Sequence, residues 1–116
     1  MLLNLTNHPS ANWSEEQRNT AIHQYGSVQD LPFPQIDPNA TSDDLEKLAE
    51  EYEHKIRKLD AKAVHIMGEM TFTFKLVTRL KAIGIPCVAS TTERIVQERN
   101  NEAKVSIFRF VSFREY

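Results

Sequence analysis

The sequence predicts a small α/β domain with a mostly parallel sheet, three helices and a C-terminal antiparallel hairpin. Short apolar runs alternate with stretches of helical periodicity in the order β-α-β-α-β-α-β, which implies right-handed crossovers between parallel strands. The tail departs from this order, because two strand-like runs flank Asn100-Asn101 and predict an antiparallel pair. The length of 116 residues fits one domain, residues 1–116.

The N-terminal half contains two predicted strands and two predicted helices. Residues 1–5 form a short buried strand, and Ser14 begins a helix that ends at Gly26. Residues 28–31 form a weak second strand, which a proline-rich loop connects to a helix capped by Thr41 or Ser42. The second helix has a clear apolar stripe with helical spacing, made of Leu45, Leu48, Ala49, Tyr52, Ile56 and Leu59.

The C-terminal half contains the remaining elements. Residues 63–67 form a third strand that ends at Gly68, residues 71–83 form a third helix, and residues 86–89 form a fourth strand. Residues 95–98 and 105–113 form the hairpin. Strict alternation in its second strand places Phe108 and Phe110 on one face, and the other face carries Val105, Ile107, Val111 and Phe113. A strand that is apolar on both faces must be covered on both, by helices or by a second subunit.

Composition excludes several classes of function. The net charge of −2 and the pI near 6.1 leave no basic excess for coating duplex nucleic acid. The lone Cys87 allows no internal disulfide and no cysteine-based zinc site, and we interpret it as a buried small hydrophobe. We expect no metal and no cofactor. No apolar run is long enough to span a membrane and no signal-type run is present, so we expect a cytoplasmic protein.

Candidate site residues follow three of the predicted parallel strands. The segments are Thr6-Asn7-His8, Gly68-Glu69-Met70-Thr71 and Ser90-Thr91-Thr92-Glu93-Arg94. Ligands bind beyond the carboxyl ends of strands in open parallel sheets, so we expect these segments to converge there. The sequence has neither a Walker A pattern nor a Gly-x-Gly-x-x-Gly fingerprint, which disfavours a nucleoside triphosphatase or a Rossmann dehydrogenase.

Each candidate has a functional and a structural interpretation. His8 is a possible acid or base, or a structural histidine. The Gly68 turn offers backbone N–H groups and a helix dipole to an anion, or is only a tight turn. Hydroxyls of residues 90–92 bind a phosphate or base, or form a polar turn. Arg94 neutralises a phosphate, or pairs with a neighbouring carboxylate. Trp13 stacks on a base, or covers the core.

Four segments together resemble small CRISPR-associated proteins of the Csx type, found with type III systems. They are the first strand ending in Asn7-His8, the run Val64-His65-Ile66-Met67-Gly68-Glu69, the run Ala89-Ser90-Thr91-Thr92-Glu93-Arg94, and the ending 108–116. The chain departs from the family pattern at Glu93, where a basic residue is expected, and at Met70 and Thr71, where small and aromatic residues are expected.

The resemblance implies a Rossmann-like, CARF-like fold that binds a cyclic oligoadenylate as a homodimer. It also implies a metal-independent ring nuclease, in which a ribose 2′-OH attacks its own adjacent phosphate. The resemblance implies that His8, Glu69 and Arg94 are the catalytic residues. Ligand binding falls to Thr6, Asn7, Trp13, Gly68, Met70, Thr71, Ser90, Thr91 and Thr92. Two alternatives remain open: a protein that binds the ring without cutting it, and an interaction module with no nucleotide ligand.

Overall fold

The computed structural model describes residues 1–97 and 105–116 and confirms the α/β class. The predicted turn at Asn100-Asn101 lies outside these residues. A short 3₁₀ turn, Ser10–Asn12, follows the first strand. The other elements are β1 (Leu2–Thr6), α1 (Glu15–Tyr25), β2 (Val28–Asp30), α2 (Ser42–Arg57), β3 (Ala63–Met67), α3 (Met70–Ala82), β4 (Cys87–Gln97) and β5 (Val105–Glu115).

The sheet has the strand order β2-β1-β3-β4-β5, with β1 to β4 parallel and β5 antiparallel to β4. The chain therefore crosses from β1 to β2 on one side of β1. It then crosses back past β1 to β3 on the other side. Right-handed crossovers in opposite directions place α1 on one face of the sheet and α2 and α3 on the other. Alternate residues of β1 show this division, since Leu3 and Leu5 pack with α2 and α3 while Leu2 packs with Trp13 and Ala21.

The helix ends follow the predicted signals. The Ser14 hydroxyl accepts a hydrogen bond from the Gln17 N–H at 3.2 Å, and Thr41 forms a capping box with Asp44. Gly26 and Gly84 follow α1 and α3 with φ values of 89° and 80°, which residues with a Cβ rarely adopt. None of the helices in residues 1–97 and 105–116 is long and apolar enough to cross a bilayer.

The fourth strand is longer than predicted. We expected a strand at 86–89, a polar turn, and a separate strand at 95–98, but β4 runs unbroken from Cys87 to Gln97; residue 98 lies outside the described residues. Only Cys87 and Val88 pair with β3, and the strand then continues as a two-stranded ribbon with β5. Antiparallel pairing with β5 satisfies its backbone groups, so the polar segment 90–94 remains extended.

A β-bulge corrects the predicted alternation of β5. Thr91 pairs with Ser112 but Thr92 pairs with Phe110, which leaves Val111 as the extra residue. The alternation resets at this point, and the rings of Phe110 and Phe113 lie 5.0 Å apart between their centroids. The prediction that these two residues face opposite ways was therefore wrong.

Candidate functional site

A cleft of about 710 Å³ lies between the segment that follows β1 and the β4–β5 ribbon. It opens on the α1 face of the sheet at the carboxyl ends of β1 and β3. The strand order reverses between these two strands, which is where open α/β sheets place ligands. Its lining residues are Thr6, Asn7, His8, Asn12, Trp13, Ser14, Gln17, His65, Met67, Gly68, Ser90, Thr92, Phe108 and Phe110.

The cleft brings together seven of the twelve residues that the sequence analysis singled out. They come from all three predicted segments and from the start of α1, and are Thr6, Asn7, His8, Trp13, Gly68, Ser90 and Thr92. The other five do not line it: Glu69, Met70, Thr71, Thr91 and Arg94.

Glu69 caps a helix in the structure. Its carboxylate accepts hydrogen bonds from the N–H groups of Thr71 at 2.9 Å and Phe72 at 2.7 Å, so it is the N-cap of α3. These two bonds hold the pKa of the Glu69 carboxyl below its usual range. The carboxylate thus occupies the N-terminus of α3, where the sequence analysis expected a phosphate.

Thr91, Arg94 and Met70 also point elsewhere. Thr91 bonds to Ser112, and its hydroxyl lies 2.9 Å from that of Ser112. Arg94 donates to the Ser106 hydroxyl from Nε at 3.1 Å and from Nη2 at 2.9 Å. Met70 is 84% exposed and borders a separate apolar groove along α3. Arg94 pairs across the ribbon with Phe108, which lines the cleft.

Gly68 makes room for Phe33. A Cβ at this position would overlap the Phe33 ring, so the ring would have to move. Phe33 belongs to the proline-rich loop before α2 and packs edge-on against Phe72, with ring centroids 5.3 Å apart. The absence of a side chain at Gly68 therefore lets this loop close over the end of β3.

A polar row runs across three strands beneath the cleft, and His65 is the member of the row that lines it. Asn4 pairs in register with Asp30 of β2 and with His65 of β3, so the three side chains lie side by side. The Asn4 amide donates from Nδ2 to Asp30 Oδ1 at 2.8 Å, and its Oδ1 lies 3.0 Å from Nδ1 of His65. Asn4 and His65 are both buried, with exposed fractions of 1% and 2%.

The polar row also positions the loop that carries the cleft wall. The carbonyl oxygen of His8 accepts hydrogen bonds from Nδ2 of Asn4 at 2.8 Å and from Nε1 of Trp13 at 3.1 Å. Asp30 accepts from the hydroxyl of Ser10 at 3.0 Å. These bonds fix the chain between β1 and α1, and they hold the Trp13 indole against the floor while the imidazole of His8 stays exposed.

Burial changes the chemistry of two further groups. Desolvation, with a smaller contribution from the nearby His8, lowers the pKa of His65 to about 4, so its imidazole is neutral at physiological pH. Desolvation raises the pKa of the Cys87 thiol to about 11, which agrees with its interpretation as a buried hydrophobe. Within the described ranges, no group of three His, Cys, Asp or Glu side chains is placed to hold a metal ion.

Sequence reasoning missed the residues that organise the floor. Asn4 and His65 each interrupt an otherwise apolar strand, in Leu2-Leu3-Asn4-Leu5 and Val64-His65-Ile66. Two polar residues inside neighbouring buried strands would have suggested a mutual hydrogen bond, because buried polar groups need partners. Phe108 and Phe110 gave no such signal, since the bulge decides which face they occupy.

Comparison with known proteins gives one match. The sequence model of a family described as the uncharacterized protein MJ1673 family covers residues 1–114. No curated protein matches the chain. No solved structure matches it either.

Proposed function

This chain belongs to the uncharacterized protein MJ1673 family, and we propose that its cleft binds a cyclic oligoadenylate, the messenger of type III CRISPR immunity. The proposal rests on the lining of the cleft. It combines aromatic rings with uncharged polar side chains at the point where the strand order reverses. Trp13, Phe108 and Phe110 supply the rings, and hydroxyl and amide side chains supply the polar groups. The choice of messenger rests on the sequence resemblance.

Aromatic side chains on a cleft wall are suited to nucleobases, since every base presents a flat face for stacking. Phe108 is 69% exposed, which leaves its ring available to a ligand. Trp13 and Phe110 are nearly buried and form a fixed surface behind it. A base held between these rings would leave its ribose among Thr6, Ser90 and Thr92.

The lack of charged side chains in the described lining of the cleft favours contacts with bases and sugars over contacts with phosphates. No Lys, Arg, Asp or Glu is among the described residues that line it. Arg94 lies on the ribbon opposite the cleft-lining Phe108, and its guanidinium would have to leave Ser106 to reach a phosphate. The function supported best is therefore binding of the ring, in the cytoplasm, by a sponge or sensor protein.

A homodimer is the assembly we propose for the bound state. One cleft contacts only part of a ring, and an even-numbered ring has a two-fold axis that a C2 dimer would share. Exposed apolar side chains on the ribbon outside the cleft, Val96, Ile107 and Val111, offer surface for such a contact. Light scattering with and without ligand measures the assembly directly.

Phe108→Ala is expected to weaken binding of a cyclic oligoadenylate by about fivefold to a hundredfold, because base stacking contributes roughly 1–3 kcal/mol. The matched control is Phe74→Ala, since Phe74 is 73% exposed on α3 and lies outside the cleft. Titration calorimetry with cyclic tri-, tetra- and hexa-adenylate gives the affinities. Thermal unfolding at a ligand concentration of about 100 times Kd should show about 2.7 kcal/mol of added stability.

If Phe108→Ala and Phe74→Ala lose affinity equally, the ligand binds outside the cleft. Absence of binding and of thermal stabilisation with every ring would contradict the nucleotide proposal and favour the interaction module.

Ring opening is the second candidate function, and the exposed His8 imidazole at the cleft rim favours it. The ribose 2′-oxygen attacks the adjacent phosphorus, and the bond from phosphorus to the 5′-oxygen breaks. The products are one linear strand with a 2′,3′-cyclic phosphate and a 5′-hydroxyl. His8 would accept the 2′-OH proton or donate one to the 5′-oxygen, and Arg94 would stabilise charge on phosphorus.

His8→Ala is expected to abolish this cleavage, whereas Glu69→Ala is expected to leave the rate unchanged. Glu69→Ala should instead lower stability by about 1 kcal/mol, the usual value of a lost helix cap. The assay is a single-turnover incubation with labelled ring in EDTA, resolved by chromatography, with His23→Ala as an exposed histidine control on α1. An intact ring that stays bound to the protein would exclude cleavage and leave the binding proposal in place.

A further inference from the structure

His65 carries a hydrogen-bond acceptor that no described residue uses. Nδ2 of Asn4 faces two acceptors, the His8 carbonyl and the Asp30 carboxylate, each at 2.8 Å. This fixes Oδ1 of Asn4 as the oxygen that faces His65, and Nδ1 of His65 must carry the proton that it accepts. Nε2 of His65 therefore holds a free lone pair. It is buried and has no hydrogen-bond partner within residues 1–97 and 105–116.

An unused acceptor in the interior is costly, since a buried polar group without a partner typically destabilises a protein by roughly 1–3 kcal/mol. The ring is also held firmly in this orientation. Trp13 and Phe113 contact it edge-on, at centroid distances of 5.5 and 5.4 Å, and Nδ1 is bonded to Asn4. His65 nevertheless lines the cleft, between the residues of β1 and those of β4. A preformed acceptor at the floor of a ligand-sized cleft is an arrangement that a ligand donor would complete.

We propose that Nε2 of His65 accepts a hydrogen bond from the exocyclic amino group of an adenine base, which makes His65 the residue that selects adenine. The inference rests on the proposed function and deepens it. An adenine amine lies in the plane of the base, so a base stacked along the aromatic wall could direct it at the floor. The neutral state of the imidazole at physiological pH keeps the acceptor available.

The binding test compares cyclic tetra-adenylate with the same ring built from inosine, where a carbonyl oxygen replaces the amine. Two acceptors would then face each other, so we expect the wild-type protein to bind the adenine ring about tenfold more tightly, the equivalent of about 1.4 kcal/mol. His65→Phe keeps an aromatic ring and removes the acceptor. It should lose that preference and bind both rings with similar affinity.

A second measurement needs no variant, and so it does not depend on whether His65→Phe folds. The ¹⁵N resonance of Nε2 in the free protein should be that of an unprotonated nitrogen, and it should move upfield when the adenine ring binds. The inosine ring should leave it in place. The single Trp13 adds a local fluorescence signal for occupancy in the same sample.

The outcomes separate the two proposals. Equal binding of both rings with an unmoved Nε2 resonance would overturn the role of His65 and leave the proposed function standing. If affinity falls only for a ring that lacks its 2′-hydroxyls, the donor to Nε2 is a ribose hydroxyl. That result would overturn the assignment of the adenine amine. Absence of binding by every ring would refute the proposed function, and this inference with it.

Discussion

Acidification is expected to cost the protein about 2 kcal/mol of unfolding free energy between pH 7 and pH 5 because of His65. The unfolded chain takes up this proton near the ordinary histidine pKa of 6.5, but the folded protein takes it up only near 4. Between these values protons favour the unfolded state. The contribution of His65 is therefore complete above pH 6.5 and is lost as the pH falls.

The measurement is urea unfolding at intervals from pH 7.5 to 5, with His65→Gln as the comparison. Glutamine keeps hydrogen-bonding capacity but does not titrate, so its stability should be nearly flat over this range. Carboxylates with lowered pKa values, such as Glu69, add their own loss below their usual pKa of 4.5, outside this window. Fluorescence of Trp13 follows the unfolding transition, because its indole is buried against the His65 ring in the folded protein. A wild-type profile as flat as that of His65→Gln would contradict the prediction.

Asn4→Ala is expected to destabilise the protein by about 3 kcal/mol, more than a typical substitution. The change removes the bonds from Nδ2 to the His8 carbonyl and to Asp30. It also leaves the Nδ1 proton of His65 without an acceptor in a buried position. Each unsatisfied buried group costs roughly 1–3 kcal/mol.

The control is Asn19→Ala, which removes the same side chain from an exposed position on α1. We expect that variant to be neutral or slightly more stable, because alanine is the better helix former. Denaturant unfolding of both variants gives the two free energies. A loss at Asn4 as small as that at Asn19 would mean that the polar row does not hold the β1–α1 loop. If the row acts as described, Asn4→Ala should also weaken ligand binding, through the displaced His8 and Trp13.

The two predictions concern one feature, the row of Asp30, Asn4 and His65 beneath the cleft. It lies between β1 and β3, where α1 departs from the end of β1 to one face of the sheet and α3 departs from the end of β3 to the other. Such a position has no helix directly above the strand ends, which leaves His65 of the row at the boundary of the cleft. The same residues thus contribute to stability and shape the site.

Local sequence determined the elements and their ends. Apolar runs such as Ala63–Met67, the apolar stripe of α2, the caps at Ser14 and Thr41, and the glycines at 26 and 84 all act over a few residues. The order of strands and helices then implied a parallel sheet, because right-handed crossovers leave few other arrangements. The same reasoning predicted a site at the carboxyl ends of the parallel strands, and seven of the predicted residues line one cleft there.

Only the tertiary structure decided which side chains face the cleft. Glu69 turned to its own helix because two free N–H groups lay within reach, and Gly68 is small because Phe33 packs against it. The bulge at Val111 set the faces of Phe110 and Phe113 through pairing with a distant strand. The polar row needed the register of three strands, which depends on residues up to 61 positions apart. Periodicity reports a residue's neighbours along the chain, whereas contacts between strands are fixed by packing of the whole sheet.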